Sequence, residues 1–378
     1  MPVTTGTQPS GTGIFSQPPI EVLVSVVGGY DDNVNTAPNG QGSAFTNGRL
    51  DVAYSFGNPR LQLNLDATAG GTYYYQHLAN QNYDIDLHSS LTAKYKAAPR
   101  LTLGSDILVS YLTEPSFNYA VGTNYRNGNY FYTLDKLYAE FQWAQRFSTL
   151  TRYTITAINY DTASVGNFDD RVEHLFGNEF RFLLVPTTTL VGEYRFGIVD
   201  YTHAPLDSTT HFILGGLDHT FNPRLLATLR GGAEFRSYDH DGDRSGPYFE
   251  GNVTYVVGRR TSVTWTSRYG IEEPDIAGTQ SRTTFRTGLQ AKFSITPRLN
   301  TMTELYYDHS DYHSFSLGGS GSARPFTQDS IDSSVSLRYG ITHYVWVAAG
   351  YRHTEVSSDI SSFAYSRNHY FGGLNVIF

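Results

Sequence analysis

Two long stretches of this chain alternate apolar and polar residues without a break. In YDIDLHSSLTAKYK (83–96), Tyr83, Ile85, Leu87, Leu91, Ala93 and Tyr95 share one face. Asp84, Asp86, His88, Thr92, Lys94 and Lys96 share the other. In SRTTFRTGLQAKFSI (281–295), Phe285, Leu289, Ala291, Phe293 and Ile295 face one way, and Arg282, Arg286, Gln290 and Lys292 the other. A period of two marks a strand with two unlike faces. Both stretches outrun the globular strand of about 5–6 residues. They match tilted strands that cross a bilayer in about 9–11 residues. No apolar run approaches the ~18 residues of a spanning helix. A mean hydropathy of −0.34 still leaves a spanning barrel open, because half of each barrel strand is polar. The 29 Tyr, 23 Phe and 36 Gly suit strands and tight turns better than helices.

Turns divide into two kinds. Short ones share their chemistry: NPRL (58–61), APRL (98–101), NPRL (222–225) and TPRL (296–299). Proline presets φ for a tight turn and cannot continue a ladder. Further short turns are expected near 148–149, 186–189, 258–260 and 341–343. Longer polar loops are expected near 31–43, 73–82, 114–130, 161–170, 201–209, 238–247, 271–280, 310–330 and 356–367. Eight turns and nine loops connect about 18 strands and put both chain ends on the short-turn side. Bacterial outer-membrane barrels have this asymmetry, with short periplasmic turns and long extracellular loops. The expected fold is therefore an all-β, transmembrane, antiparallel up-and-down β-barrel over residues 19–378, after a flexible tail at 1–18. A β-propeller also repeats at roughly 40 residues, but its blades need four short strands per repeat. Phe56, Tyr95, Phe147, Phe221 and Phe293 precede tight turns, while Tyr73, Tyr83, Tyr111, Tyr130, Tyr160, Tyr238, Tyr248 and Tyr269 lie near long loops. Two interfacial girdles give this placement, although Tyr and Phe are also common strand residues in general.

The final residues Gly373-Leu374-Asn375-Val376-Ile377-Phe378 resemble the C-terminal β-signal that the barrel-assembly machinery recognises in outer-membrane proteins. Gly373, Val376 and Phe378 carry that pattern. GGYDDNVN (28–35), after a first strand at 20–30, is similar to the opening of the putative β-barrel porin 2 family. That resemblance implies a porin-like barrel in contact with outer-membrane lipid and lipopolysaccharide, and some members are associated with exopolysaccharide systems. The start, MPVTTGTQPSGTGIFSQPP, shows neither the basic nor the apolar region of a signal peptide.

Strand parity assigns the lumen. Asp66, Asp84, Asp86 and Asp106 point inward on strands three to five. Arg230, Arg236, Arg268, Arg282, Arg286, Lys292 and Arg338 point inward on strands eleven to sixteen. In a ring of 18, strand four lies across from strand thirteen, so these carboxylates face the basic cluster. Lining water, such charges are cheap and set up a transverse field that orders polar solutes. Local pairing on the wall is the competing expectation, with Glu234 beside Arg230 and Arg236. Arg126 and Arg324 reach a constriction only if loops 114–130 and 310–330 fold inward. A solvated surface loop is the plainer expectation.

Other chemistry is weak. Asp239, Asp241 and Asp243 alternate in a Gly-containing loop, like the start of a Ca²⁺ loop. The twelfth position from Asp239 is Glu250, which falls in an expected strand, so a solvated acidic loop fits better. GGSGS (318–322) lacks the final Gly of G-x-S-x-G. The 12 His form no helix-borne metal pair. Without cysteine, a disulfide framework and thiolate metal sites are excluded. A net charge of −8 gives no sign of nucleic-acid binding. The residues point to a cofactor-free passive pore for small polar or charged solutes. An exopolysaccharide-associated export or assembly barrel is the alternative. A plugged structural barrel or a rim enzyme is the third. The sequence leaves the oligomeric state open.

Overall fold

The computed structural model describes residues 20–76, 81–115, 125–240, 242–258, 260–314 and 325–378; the expected N-terminal tail lies outside them. The strands are β1 (Ile20–Asp31), β2 (Ser43–Gly57), β3 (Leu61–Tyr74), β4 (Tyr83–Ala98), β5 (Leu101–Thr113) and β6 (Asn129–Ala144). Next come β7 (Phe147–Tyr160), β8 (Arg171–Val185), β9 (Thr188–Tyr201), β10 (Ser208–Asn222), β11 (Leu225–Tyr238) and β12 (Arg244–Val257). The last are β13 (Thr261–Glu272), β14 (Thr279–Ser294), β15 (Leu299–Ser314), β16 (Phe326–Gly340), β17 (Val345–Ser358) and β18 (Tyr365–Ile377). Each pairs antiparallel with its sequence neighbours, and β1 pairs with β18. The 18-stranded sheet is thus closed and has no edge to protect.

The closing seam is tight. Val24 lies opposite Val376 and Tyr30 opposite Tyr370. The Phe378 N–H donates to the Val22 carbonyl at 2.8 Å. A Cβ on Gly373 would stand 2.4 Å from the Val26 carbonyl oxygen, so only glycine lets the two strands approach this closely.

The tight turns sit at one end and the long loops at the other. The turn expected at 148–149 lies instead at 145–146, between β6 and β7. Gln145-Arg146 carries neither Pro nor Gly, and the Ser148-Thr149 pair belongs to β7. Loop 161–170 contains the short helix α1 (Ala163–Asp169), and a single 3-10 turn occupies Ser361–Phe363. Neither has a periodic pattern long enough to read.

The apolar side chains are inverted relative to a soluble domain. Leu50, Leu87, Leu137, Phe180, Ile213 and Leu305 stand exposed on the outer face, where lipid replaces water. Inside, aromatic rings lie flat against the wall. Tyr138 on β6 covers Gly104 on β5, where a Cβ would come within 2.1 Å of the ring. The glycine keeps that ring out of the lumen.

Candidate functional site: a charged lumen in three tiers

Along the barrel axis the inward residues change character. In the tier nearest the tight turns they are exposed. Lys94 and Lys96 on β4 and Arg338 on β16 lie open to water. The Arg338 guanidinium stacks 3.7 Å over the Trp346 ring, a cation–π contact that holds it against the wall. Lys292, on β14, is half-buried. Asp66 and Asp106 are exposed slightly deeper, and Asp106 sits opposite Lys136 in the β5–β6 register.

The middle tier is a belt of ion pairs on the wall from β8 to β15. Arg195 binds Glu193 and Glu250, both at 2.6 Å. Arg230 contacts Asp218 at 2.8 Å and lies 3.7 Å from both Glu179 and Glu193. Arg286 reaches Asp308 at 2.6 Å and Glu272 at 3.4 Å. Glu272 also lies 3.6 Å from Arg268 and 3.5 Å from Arg282. Towards the long loops, Arg282 is bound to Asp275 at 2.7 Å and Arg236 to Glu273 at 2.5 Å. Such pairs add little net stability, but breaking one strands its partner.

The sequence-based residues therefore occupy two sectors of the ring. Asp66, Asp84, Asp86 and Asp106 lie on β3, β4 and β5. The cationic residues lie on β11, β13, β14 and β16. Most of those arginines have acidic partners on their own wall. The signal was present: Glu193, Asp218 and Glu250 share the inward parity of Arg230 and Arg268. What parity lacks is reach, and a long arginine chooses among several carboxylates one to three strands away. Asp84 accepts from the Tyr74 hydroxyl at 2.9 Å and pairs with Arg126. Asp86 lies 2.8 Å from His88 Nδ1 and 3.9 Å from Arg49.

The loop-end tier is packed. Asp31, Val34, Tyr132, Glu234, Gln280, Tyr312 and Val356 are fully buried there. Part of the filling is the loop between β5 and β6, whose described end turns inward rather than standing as a surface loop. The Tyr125 hydroxyl donates to Gln328 Oε1 at 2.6 Å and lies 2.9 Å from the Phe363 carbonyl oxygen. Both partners belong to the β16–β18 side, far around the ring from β5. Its ring packs with Ile276, Tyr312, Phe326 and Phe363, and burial pushes its hydroxyl pKa up. The next residue, Arg126, ion-pairs with Asp84 and lies over the Tyr74 ring at 5.6 Å. Its N–H donates to Thr36 Oγ1 at 2.8 Å. Thr36 has φ 50°, a strained choice for a β-branched residue. Arg324 lies outside the described residues.

In α1, burial pushes the Asp169 carboxyl up to about 6, with Arg171 pulling it back down. Among the described residues no three His, Cys, Asp or Glu gather as a metal ion needs. Asp241 lies outside them. Glu250 is on β12 and accepts from Tyr248 at 2.7 Å as well as from Arg195. The C-terminal residues Gly373 and Val376 lie in β18 at the closing seam, with Phe378 exposed just beyond it.

Several solved structures resemble this barrel. Acinetobacter baumannii OccAB4 shares 14% identity and a TM-score of 0.45, covering 96% of this chain and 99% of its own. Pseudomonas aeruginosa OpdK, solved with vanillate, shares 9% at a TM-score of 0.47, covering 95% and 98%. Pseudomonas aeruginosa OccK2 (OpdF), solved with glucuronate, shares 11% at a TM-score of 0.47, also covering 95% and 98%. No curated protein sequence matches the chain. Residues 20–378 match the family described as putative beta-barrel porin 2, and with its closed 18-stranded sheet the chain belongs to this family of outer-membrane porin-like barrels.

Proposed function

We propose that the protein is an outer-membrane pore through which small polar or charged solutes diffuse passively, without a cofactor. The observation that carries this is the lumen wall. Charged groups line it in both lower tiers: those of the tight-turn tier stand exposed, and those of the middle tier are held in place by mutual pairing. Buried in a dry interior, this many ions would be prohibitively costly. Solutes would be sorted by width and by the local field of partly exposed groups such as Arg268, Asp66 and Asp106. The test is a planar bilayer holding the purified protein. A steady conductance is expected, with ion selectivity that shifts when Arg230→Gln and Arg286→Gln are combined. Absence of current would overturn the open-pore reading.

A second reading, an export or assembly barrel for an exopolysaccharide, is favoured by the anchoring of Tyr125 and Arg126 across the loop end. An exporter is closed at rest and opens for its cargo. Under either reading the outer face contacts lipid and lipopolysaccharide, and the Gly373, Val376 and Phe378 pattern serves the barrel-assembly machinery.

A further inference from the structure

The eight tight turns are built alike. In each, the carbonyl of the last turn residue accepts an N–H from the neighbouring hairpin. Lys96 donates to Arg60, Gln142 to Arg100 and Leu183 to Arg146, all at 2.8–2.9 Å. Val256 donates to Arg224 at 2.7 Å, and Ser294 to Arg260 and Gly340 to Arg298 at 2.8 Å. Thr187 and Tyr344 hold the same place in the two remaining turns. Six of eight equivalent positions are therefore arginine.

All six arginines are exposed, and among the described residues none of their side chains makes an ion pair. Each directly precedes the first residue of an ascending strand. That residue is Leu61, Leu101, Phe147, Leu225, Thr261 or Leu299. Those residues have lipid-side parity, and the arginines stand in the turns beside them, around the rim of the barrel. The turns themselves contain no Asp or Glu. Just inside the mouth stand Lys94, Lys96, Lys292 and Arg338. Of the acids near that level, Glu140 and Asp218 are already approached by Arg181 at 3.6 and 3.0 Å, leaving Glu21 and, slightly deeper, Asp66 and Asp106. At the opposite mouth Asp169 and Glu273 are ion-paired with Arg171 and Arg236, whereas Asp161, Asp170, Asp239 and Asp243 in the long loops make no ion pair among the described residues. The unbalanced charge is thus separated along the barrel axis.

We propose that the arginine ring is an anion-collecting mouth, through which multivalent carboxylated or phosphorylated solutes enter from the tight-turn side. The proposal rests on the pore reading for its transport role and on the ring alone for anion binding. Like charges clustered around a low-dielectric opening concentrate counter-ions there. Over a Debye length of about 10 Å at 0.1 M salt, neighbouring guanidiniums act together. A lipid phosphate has the same chemistry as a free one, so the source has to be separated by experiment.

The probe is inorganic tripolyphosphate, titrated calorimetrically into the full chain in zwitterionic-lipid nanodiscs. Binding is expected at low salt and is lost at ~1 M, where the Debye length is about 3 Å. Replacing all six arginines by Gln should weaken it at least about tenfold. The triple variant Arg60→Gln, Arg100→Gln, Arg146→Gln should fall between, and it serves if the six-fold variant does not fold. Equal affinity in wild type and variants overturns the proposal. So does binding that disappears once phosphatidylglycerol is added to the disc, because the ring then belongs to lipid headgroups. In a planar bilayer, tripolyphosphate added on the tight-turn side should block current at lower concentration than on the loop side. Equal block from both sides also overturns it. If no current flows but the ring-dependent binding persists, the pore reading falls and the anion site stands.

Discussion

At the residue scale, a buried ion pair crosses the closing seam. Asp31 is fully buried at the end of β1 and takes the Arg367 guanidinium from β18 at 3.0 and 2.5 Å. His369 adds a third contact at 3.3 Å. Asp31→Asn keeps the shape but removes the charge, leaving Arg367 buried beside a neutral amide. Removing one member of a buried pair costs about 3–5 kcal/mol, whereas replacing both by apolar residues is often close to neutral. The folded form of Asp31→Asn should convert to the heat-denatured gel species several degrees below wild type. Asp31→Leu with Arg367→Met should recover most of the loss. An unchanged conversion temperature for Asp31→Asn would show that the pair does not staple the seam. Only part of this is legible in the sequence. Parity puts both side chains inside, but they lie 336 residues apart. Their meeting depends on ring closure and register, which no local window contains.

At the element scale, the strands were readable and their connections less so. Alternation over 12–16 residues survives any detail of packing, because lipid on one side and water on the other impose it directly. The 145–146 turn carries no Pro or Gly and was displaced for that reason. The inward course of the loop between β5 and β6 runs against the plainer expectation of a surface loop, because its anchors are long-range hydrogen bonds made by one tyrosine and one arginine. Those anchors are testable. Tyr125→Phe removes the bonds to Gln328 and Phe363, and Asp84→Asn removes the charge opposite Arg126. Each bond is worth about 0.5–1.5 kcal/mol net, more for the charged one. Together the substitutions should release the loop from the lumen. In a planar bilayer the double variant is expected to conduct more than wild type, with each single change intermediate. Equal currents in all four proteins would mean that this loop does not limit the path.

At the scale of the whole molecule, strand length fixes where the barrel sits. A strand rising about 3.4 Å per residue, tilted by about 40°, covers a 25 Å apolar band in about ten residues. Counted from the tight turn, β15 leaves that band near Tyr307 and His309. Beyond them Asp311 and His313 continue the outward face, and Asp329 on β16 lies beside His309 at 2.9 Å. Charged groups on a lipid face are costly at the midplane and cheap near the interface, so this cluster marks the outer headgroup level. Leu305, 49% exposed on the same face, belongs to the apolar band. The natural absence of cysteine allows a direct measurement. Asp311→Cys should react with a membrane-impermeant maleimide added outside intact cells, and Leu305→Cys should not. Arg298→Cys, on the tight-turn rim, should react only after the periplasm is opened. Labelling of Leu305→Cys at the rate of Asp311→Cys would shift the membrane along the axis. Labelling of Arg298→Cys from outside would invert the barrel and place the basic ring at the cell surface. The same three substitutions therefore fix both the depth of the aromatic girdles and the side from which an anion would meet the arginines.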